Sequence, residues 1–128
     1  MRLSIVTAVR NGADVIAATL QSVGVQDYPV IEHIVIDGAS TDDTLGVVRR
    51  HGARVAIVQS ARDHGVYEAF NKGLRAASGD VVAFLNAGDV YAHTGVVSRL
   101  MRELSDPTID IVFGDLDLID PDRPTVVK

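Results

Sequence analysis

Three aspartates stand where an apolar run gives way to polar residues. Asp37 closes "IEHIVID", Asp63 follows "RVAIVQSAR", and Asp89 ends "VVAFLNAGD". A carboxylate just past a buried strand can accept hydrogen bonds from a ribose or a base. It can also give hard oxygen to Mg²⁺ or Mn²⁺, whose shell substrate phosphates and water complete. Each aspartate has a local explanation as well. Asp37 can be a loop acid before a capped helix, and Asp63 an N-cap before the turn-forming Gly65. Asn86-Ala87-Gly88-Asp89 can be a tight turn. The helix opened by Gly65 could equally turn its N-terminus toward phosphate. On that helix Asn71, a weak helix former, wants a partner, whereas Glu68 and Lys72 read as a solvated i,i+4 pair. His33, His51, His64 and His93 show no metal-ligand spacing and read as structural.

Alternating strands and helices must position these residues. "LSIVTAV" (3–9) is a β-rich run bounded by Asn11-Gly12, and Val15, Ile16, Thr19, Leu20 and Val23 then recur at helical spacing over 13–23. A second strand is "IEHIVID" (31–37). Ser40 and Asp43 form a capping-box signature for a helix reaching His51, which Gly52 stops. A third strand, "RVAIVQ", precedes a helix over 65–77 with Val66, Phe70, Leu74 and Ala77 on one face. "VVAFL" is a fourth strand. A helix over about 94–104 and one or two strands in "IDIVFGDLDLI" complete the pattern, and "RPTVVK" shows no closing element. This alternation predicts an α/β fold: one domain with a mainly parallel sheet and helices on both faces. Ligands of such sheets sit beyond the carboxyl ends of the strands, where strand order reverses. The residues to examine are therefore 7–11, Asp37, Arg62-Asp63 and 86–89.

Bulk properties narrow the function. At 128 residues the chain is one domain with a sizeable core, and its net charge of −5 leaves no basic face for nucleic acid. Arg49-Arg50 at a helix end offset its dipole. With no cysteine, disulfides and thiolate metal sites are excluded. No run approaches the ~20 apolar residues of a membrane span, and the N-terminal run is too short for a signal peptide. The expected location is the cytoplasm. A dinucleotide-binding dehydrogenase would need more than Gly12 after the first strand. A phosphorylation receiver would need an acidic pair there, where Thr7-Ala8-Val9-Arg10-Asn11 has none.

In order, "SIVTAVRNGADVIAATLQSV", "YPVIEHIVIDGASTDDT" and "DHGVYEAFNKGLRAASGDVVAFLNAGD" resemble the nucleotide-binding half of family 2 glycosyltransferases of GT-A fold, over about residues 3–115. The last block most resembles the branch that builds bacterial surface polysaccharides. The resemblance implies a nucleotide-sugar donor, most often UDP-linked, a divalent cation (Mn²⁺ or Mg²⁺) and metal-assisted, inverting transfer to a glycan or lipid-linked acceptor. It implies that Thr7 and Val9 line the base pocket, that Asp37 recognises uracil or ribose, and that Asp63 borders the donor; Asn11 and Asn71 are further candidate donor-binding residues. "FLNAGD" then occupies the Asp-Xaa-Asp region, with Asn86 first, Gly88 in place of a second acid and Asp89 as metal ligand. Gly38 likewise stands where relatives often carry another Asp.

Such proteins usually continue into an acceptor half that carries the general base. No base is assigned here, Asp115 and Asp117 included, and the expectation is a truncated chain. The alternative is an inactive remnant that binds a nucleotide or a partner protein. Association with the cytoplasmic face of the membrane, oligomeric state, donor sugar and acceptor stay open.

Overall fold

The computed structural model describes residues 1–120 and 122–127. One unit, Met1–Ser98, carries a parallel four-stranded sheet. Its elements follow the expected alternation: β1 (Leu3–Val9), α1 (Ile16–Gly24), β2 (Ile31–Asp37), α2 (Thr44–His51), β3 (Val55–Ser60), α3 (Val66–Ala76) and β4 (Val81–Phe84). The strand order is β3-β2-β1-β4, so the chain steps outward from β1 and then returns to its other side. α4 (Val96–Glu103) leads into the second unit, Arg99–Lys128, where β5 (Leu118–Asp120) pairs antiparallel with β6 (Arg123–Val127).

Alternating side chains send β1 and β2 into two apolar layers. Val9 and Val35 pack with Ile16, Leu20, Val47 and Val48 of α1 and α2. On the opposite face Val6, Ile34 and Ile36 pack with Ala69 of α3. α3 lies close because Gly73 has no side chain: a Cβ there would meet Val6 Cγ1 at 2.2 Å. Phe70 and Ala77 of the expected α3 face do pack against this layer, but the centre of that face is different. Ala69 and Gly73 are the buried positions, while Val66 and Leu74 are exposed and Phe70 leans on Phe84 with ring centroids 4.5 Å apart.

The start of α2 also differs from expectation. Ser40 does not cap it, since its hydroxyl and amide both bond Asp37. Asp42 takes the Thr44 amide instead, at 3.0 Å, and Asp43 pairs with Arg50 at 2.8 Å. Hydrogen bonds from Thr44 and Ala13 hold the Asp42 carboxyl below its ordinary range. In the second unit, residues 109–117 are not strand, and Ile111, Phe113 and Leu116 are exposed. An alternating pattern makes a strand only where a neighbour pairs its backbone, and among the described residues only 118–120 of this segment have one. Residues of "RPTVVK" form β6 at Arg123–Val127, while Lys128 lies outside the described residues.

His33, 1% exposed in the middle of the sheet, places Nε2 2.8 Å from Thr7 Oγ1. Burial pushes its pKa down from 6.5 to about 4. Above about pH 6.5 the ring is neutral in both states and adds no pH dependence. Between about 6.5 and 4 the unfolded chain binds a proton that the folded chain refuses, so stability falls as pH falls. We expect a loss of about 2 kcal/mol from this residue between about pH 7 and pH 5, at ~1.4 kcal/mol per pH unit below the unfolded pKa. Urea unfolding of wild type and His33→Gln at both values measures it. An equal pH slope in the two proteins would remove His33 as the cause.

Candidate functional site

The carboxyl ends of β1 and β4 border an open cleft of about 480 Å³, within the range of small-molecule sites. It lies where the strand order reverses, as ligand sites of open α/β sheets do. Val9 and Arg10 line it from the end of β1. Asp63, His64 and Gly65 line it from the β3–α3 loop, Val66 and Ala69 from α3, and Asn86 from the loop after β4. The wall is therefore part apolar, part hydrogen-bonding.

Of the residues expected to serve a ligand, Val9, Asp63 and Asn86 meet in this cleft. Thr7 does not. Its side chain points to the opposite face from Ala8, is fully buried, and is held by His33. Asp37 is also fully buried and is not among the residues that line the cleft. Its carboxylate accepts the Ser40 amide at 3.0 Å, the Ser60 hydroxyl at 2.7 Å and the Ser40 hydroxyl. These bonds tie the loop after β2, with Ala39 at φ 57°, to the end of β3.

The next residue, Gly38, points the other way. A Cβ there would lie 3.2 Å from Asp63 Oδ2 and 3.5 Å from Arg10 Cβ. The carboxylate presented at this edge is thus Asp63, in the space a side chain at position 38 would need. Asn11, at φ 50°, is a clamp and not a cleft residue. Its Oδ1 accepts the amides of Thr41 at 2.8 Å and Asp42 at 3.3 Å, and its own amide donates to Ser40 Oγ at 2.8 Å. Asn71 is exposed on α3, with no side-chain hydrogen bond among the described residues.

At the head of α3, Asp63 Oδ1 accepts the Gly65 amide at 3.2 Å in a local turn; Gly65 itself is the N-cap, so Asp63 does not take the capping role that local physics suggests. Glu68 does more than pair with Lys72, which lies 4.0 Å away. Its Oε2 accepts the His64 amide at 2.7 Å and lies 2.8 Å from His64 Nδ1. The His64 amide first, then the ring, hold the Glu68 carboxyl below its ordinary range.

Asn86–Asp89 is a turn: the Asp89 amide donates to Asn86 O at 3.0 Å. Gly88 takes φ 98°, as the third residue of a type II turn requires, and its amide donates to Thr19 Oγ1 of α1 at 2.9 Å. This backbone need accounts for glycine in place of a second acid. The exposed Asp89 carboxylate has no hydrogen bond or ion pair among the described residues. Those residues contain no group of three acidic, histidine or cysteine side chains that could enclose a metal. A cation here would fit only as Mg²⁺ or Mn²⁺ commonly binds, on one or two carboxylates plus substrate phosphates and water. Asp89 satisfies that chemistry.

His64, read from the sequence as structural, lines the cleft, and Arg10 is a charged cleft residue that the sequence did not single out. Arg10 lies inside the 7–11 stretch marked by the strand end, and that adjacency was its signal. No helix among the described residues is long and apolar enough to cross a membrane.

The family description "Glycosyl transferase family 2" matches residues 4–127. An uncharacterized glycosyltransferase of Mycobacterium tuberculosis is 38% identical over 104 residues, 80% of this chain and 40% of that protein. The mannosyltransferase PcManGT from Pyrobaculum calidifontis, solved in complex with GDP-Man and Mn²⁺, superposes with a TM-score of 0.78 at 30% identity. The match covers 84% of this chain and 33% of that one. Glucosyl-3-phosphoglycerate synthase from Mycobacterium tuberculosis, in complex with UDP, gives a TM-score of 0.67 at 31% identity, over 82% of this chain and 40% of the other. The parallel sheet with helices on both faces is therefore shared with one protein solved with GDP-Man and one solved with UDP, and the chain spans about 40% of the curated relative's length.

Proposed function

Because the chain belongs to glycosyl transferase family 2, we propose that the cleft beyond β1 and β4 holds the nucleotide-sugar donor of a sugar transfer. The observation that carries this reading is the position of the cleft at the reversal of strand order, with Asp63 and Asn86 on its wall. The donor is UDP-linked. Ala8 and Val9 give the base an apolar floor, and Asp63 accepts hydrogen bonds from the nucleoside. Asn86 faces the sugar diphosphate, and Asp89 holds Mn²⁺ or Mg²⁺. When bound, that cation offsets the charge of the departing diphosphate.

The reaction joins the anomeric carbon to an acceptor hydroxyl, of a glycan or a lipid-linked sugar, as the bond to the diphosphate breaks. In an inverting transfer the hydroxyl proton passes to a general base, and no residue of this chain is given that role. Thr7, Asn11, Asp37 and Gly88 act by shaping the walls and loops. The setting is bacterial surface-polysaccharide assembly, on the cytoplasmic side of the membrane.

Incubation with radiolabelled UDP-sugars and Mn²⁺ tests this, with transfer or slow hydrolysis as the expected result. Absence of both, with nucleotide binding intact, would leave an inactive binding domain. Absence of nucleotide binding would end the donor reading.

A further inference from the structure

We propose that Arg10 is the donor site's own phosphate-binding cation, so that part of the diphosphate's affinity needs no metal. This rests on the donor reading above and names a residue for it. Arg10 is exposed, lines the cleft, and has no side-chain hydrogen bond or ion pair among the described residues. Its backbone is fixed on both sides. Val9 O accepts the Gly38 amide at 2.9 Å, and the Asn11 amide donates to Ser40 Oγ at 2.8 Å.

Among the cleft-lining residues the other carboxylate or cationic side chain, Asp63, has the wrong sign for a diphosphate. Asp63 stands beside Arg10, and Glu68 sits at the head of α3 against His64. An anion approaching the start of that helix meets these two carboxylates, which oppose the pull of the helix dipole. Asp89 adds a third negative charge at the same sheet edge until a cation neutralises it. Arg10 is the one lysine or arginine among the cleft-lining residues. A guanidinium fork matches two phosphate oxygens and stays charged throughout the physiological pH range.

Calorimetric titration of UDP and GDP, with Mn²⁺ and with EDTA, first establishes which nucleotide wild type binds. That nucleotide and its parent nucleoside are then titrated into Arg10→Ala and Arg10→Lys, each checked by thermal melting. In EDTA, Arg10→Ala should weaken diphosphate binding about 10- to 100-fold, the worth of one or two charge-assisted hydrogen bonds. Arg10→Lys should recover part of the loss, and nucleoside binding should not change. The ratio of affinity with Mn²⁺ to affinity without it should rise in Arg10→Ala. Unchanged diphosphate affinity in folded Arg10→Ala would overturn the proposal. So would an equal loss for the nucleoside, because Arg10 would then touch base or ribose. Wild type that binds neither nucleotide would overturn the donor reading itself, a result separable from both.

Discussion

Replacing Asp89 with alanine is expected to remove the Mn²⁺-dependent part of nucleotide binding and leave the fold intact. The carboxylate is exposed and bonds nothing else among the described residues, so no internal contact is lost with it. The turn beneath it is held by backbone, through the Asp89 amide to Asn86 O and the Gly88 amide to Thr19. A cation at this turn has one protein carboxylate, because Gly88 supplies no second acid. Its removal should therefore cost most of the metal's contribution, about 10-fold or more in UDP affinity, or at least ~1.4 kcal/mol. Titrations with and without Mn²⁺ read this directly. Asp43→Ala, a surface residue paired with Arg50, is the charge-matched control. Equal Mn²⁺ dependence in the two variants would make Asp89 a turn residue only.

Asp37→Ala should act mainly on stability. Removing the carboxylate strips the acceptor from the Ser40 amide and from the Ser40 and Ser60 hydroxyls, and leaves a small void in a fully buried position. Lost hydrogen bonds with stranded donors, together with the void, should destabilise the fold by about 2–4 kcal/mol. Urea unfolding measures that loss. Nucleotide titration of the folded variant separates two roles. A residue that holds the loop loses stability and some affinity together. One that touches the nucleotide would lose affinity at unchanged stability, and that outcome would restore the role the family resemblance implies.

Much of the scaffold was legible in the sequence because buried parallel strands are written as continuous apolar runs. Leu3–Val9 and Ile31–Asp37 were bounded to the residue. What local pattern could not supply was the direction of the last side chain of a strand. Asp37 lies on the Val35 side of β2 and turns into the interior, and Gly38 faces Asp63 and Arg10 instead. The buried face of α3 was missed for a related reason. Hydrophobic periodicity rewards the exposed Val66 and Leu74 beside the packed Phe70, but close packing on β1 needs the small Ala69 and Gly73. The capping box at Ser40 lost to a local competitor, Asp37, three residues earlier. Arg10 was hidden by being an ordinary charged residue, until the fold placed it beside Asp63.

The Asn86–Asp89 turn is fixed from behind, by Thr19 on a helix whose buried residues pack against the sheet face opposite α3. Its ordering entropy is therefore settled when the chain folds, not when a ligand arrives. The backbone that carries this carboxylate is already in place when a cation arrives, so weak metal affinity here would reflect a shortage of ligand atoms and not a loop waiting to be organised. Improving the site would then be a matter of adding an oxygen, since stiffening the backbone has little left to gain.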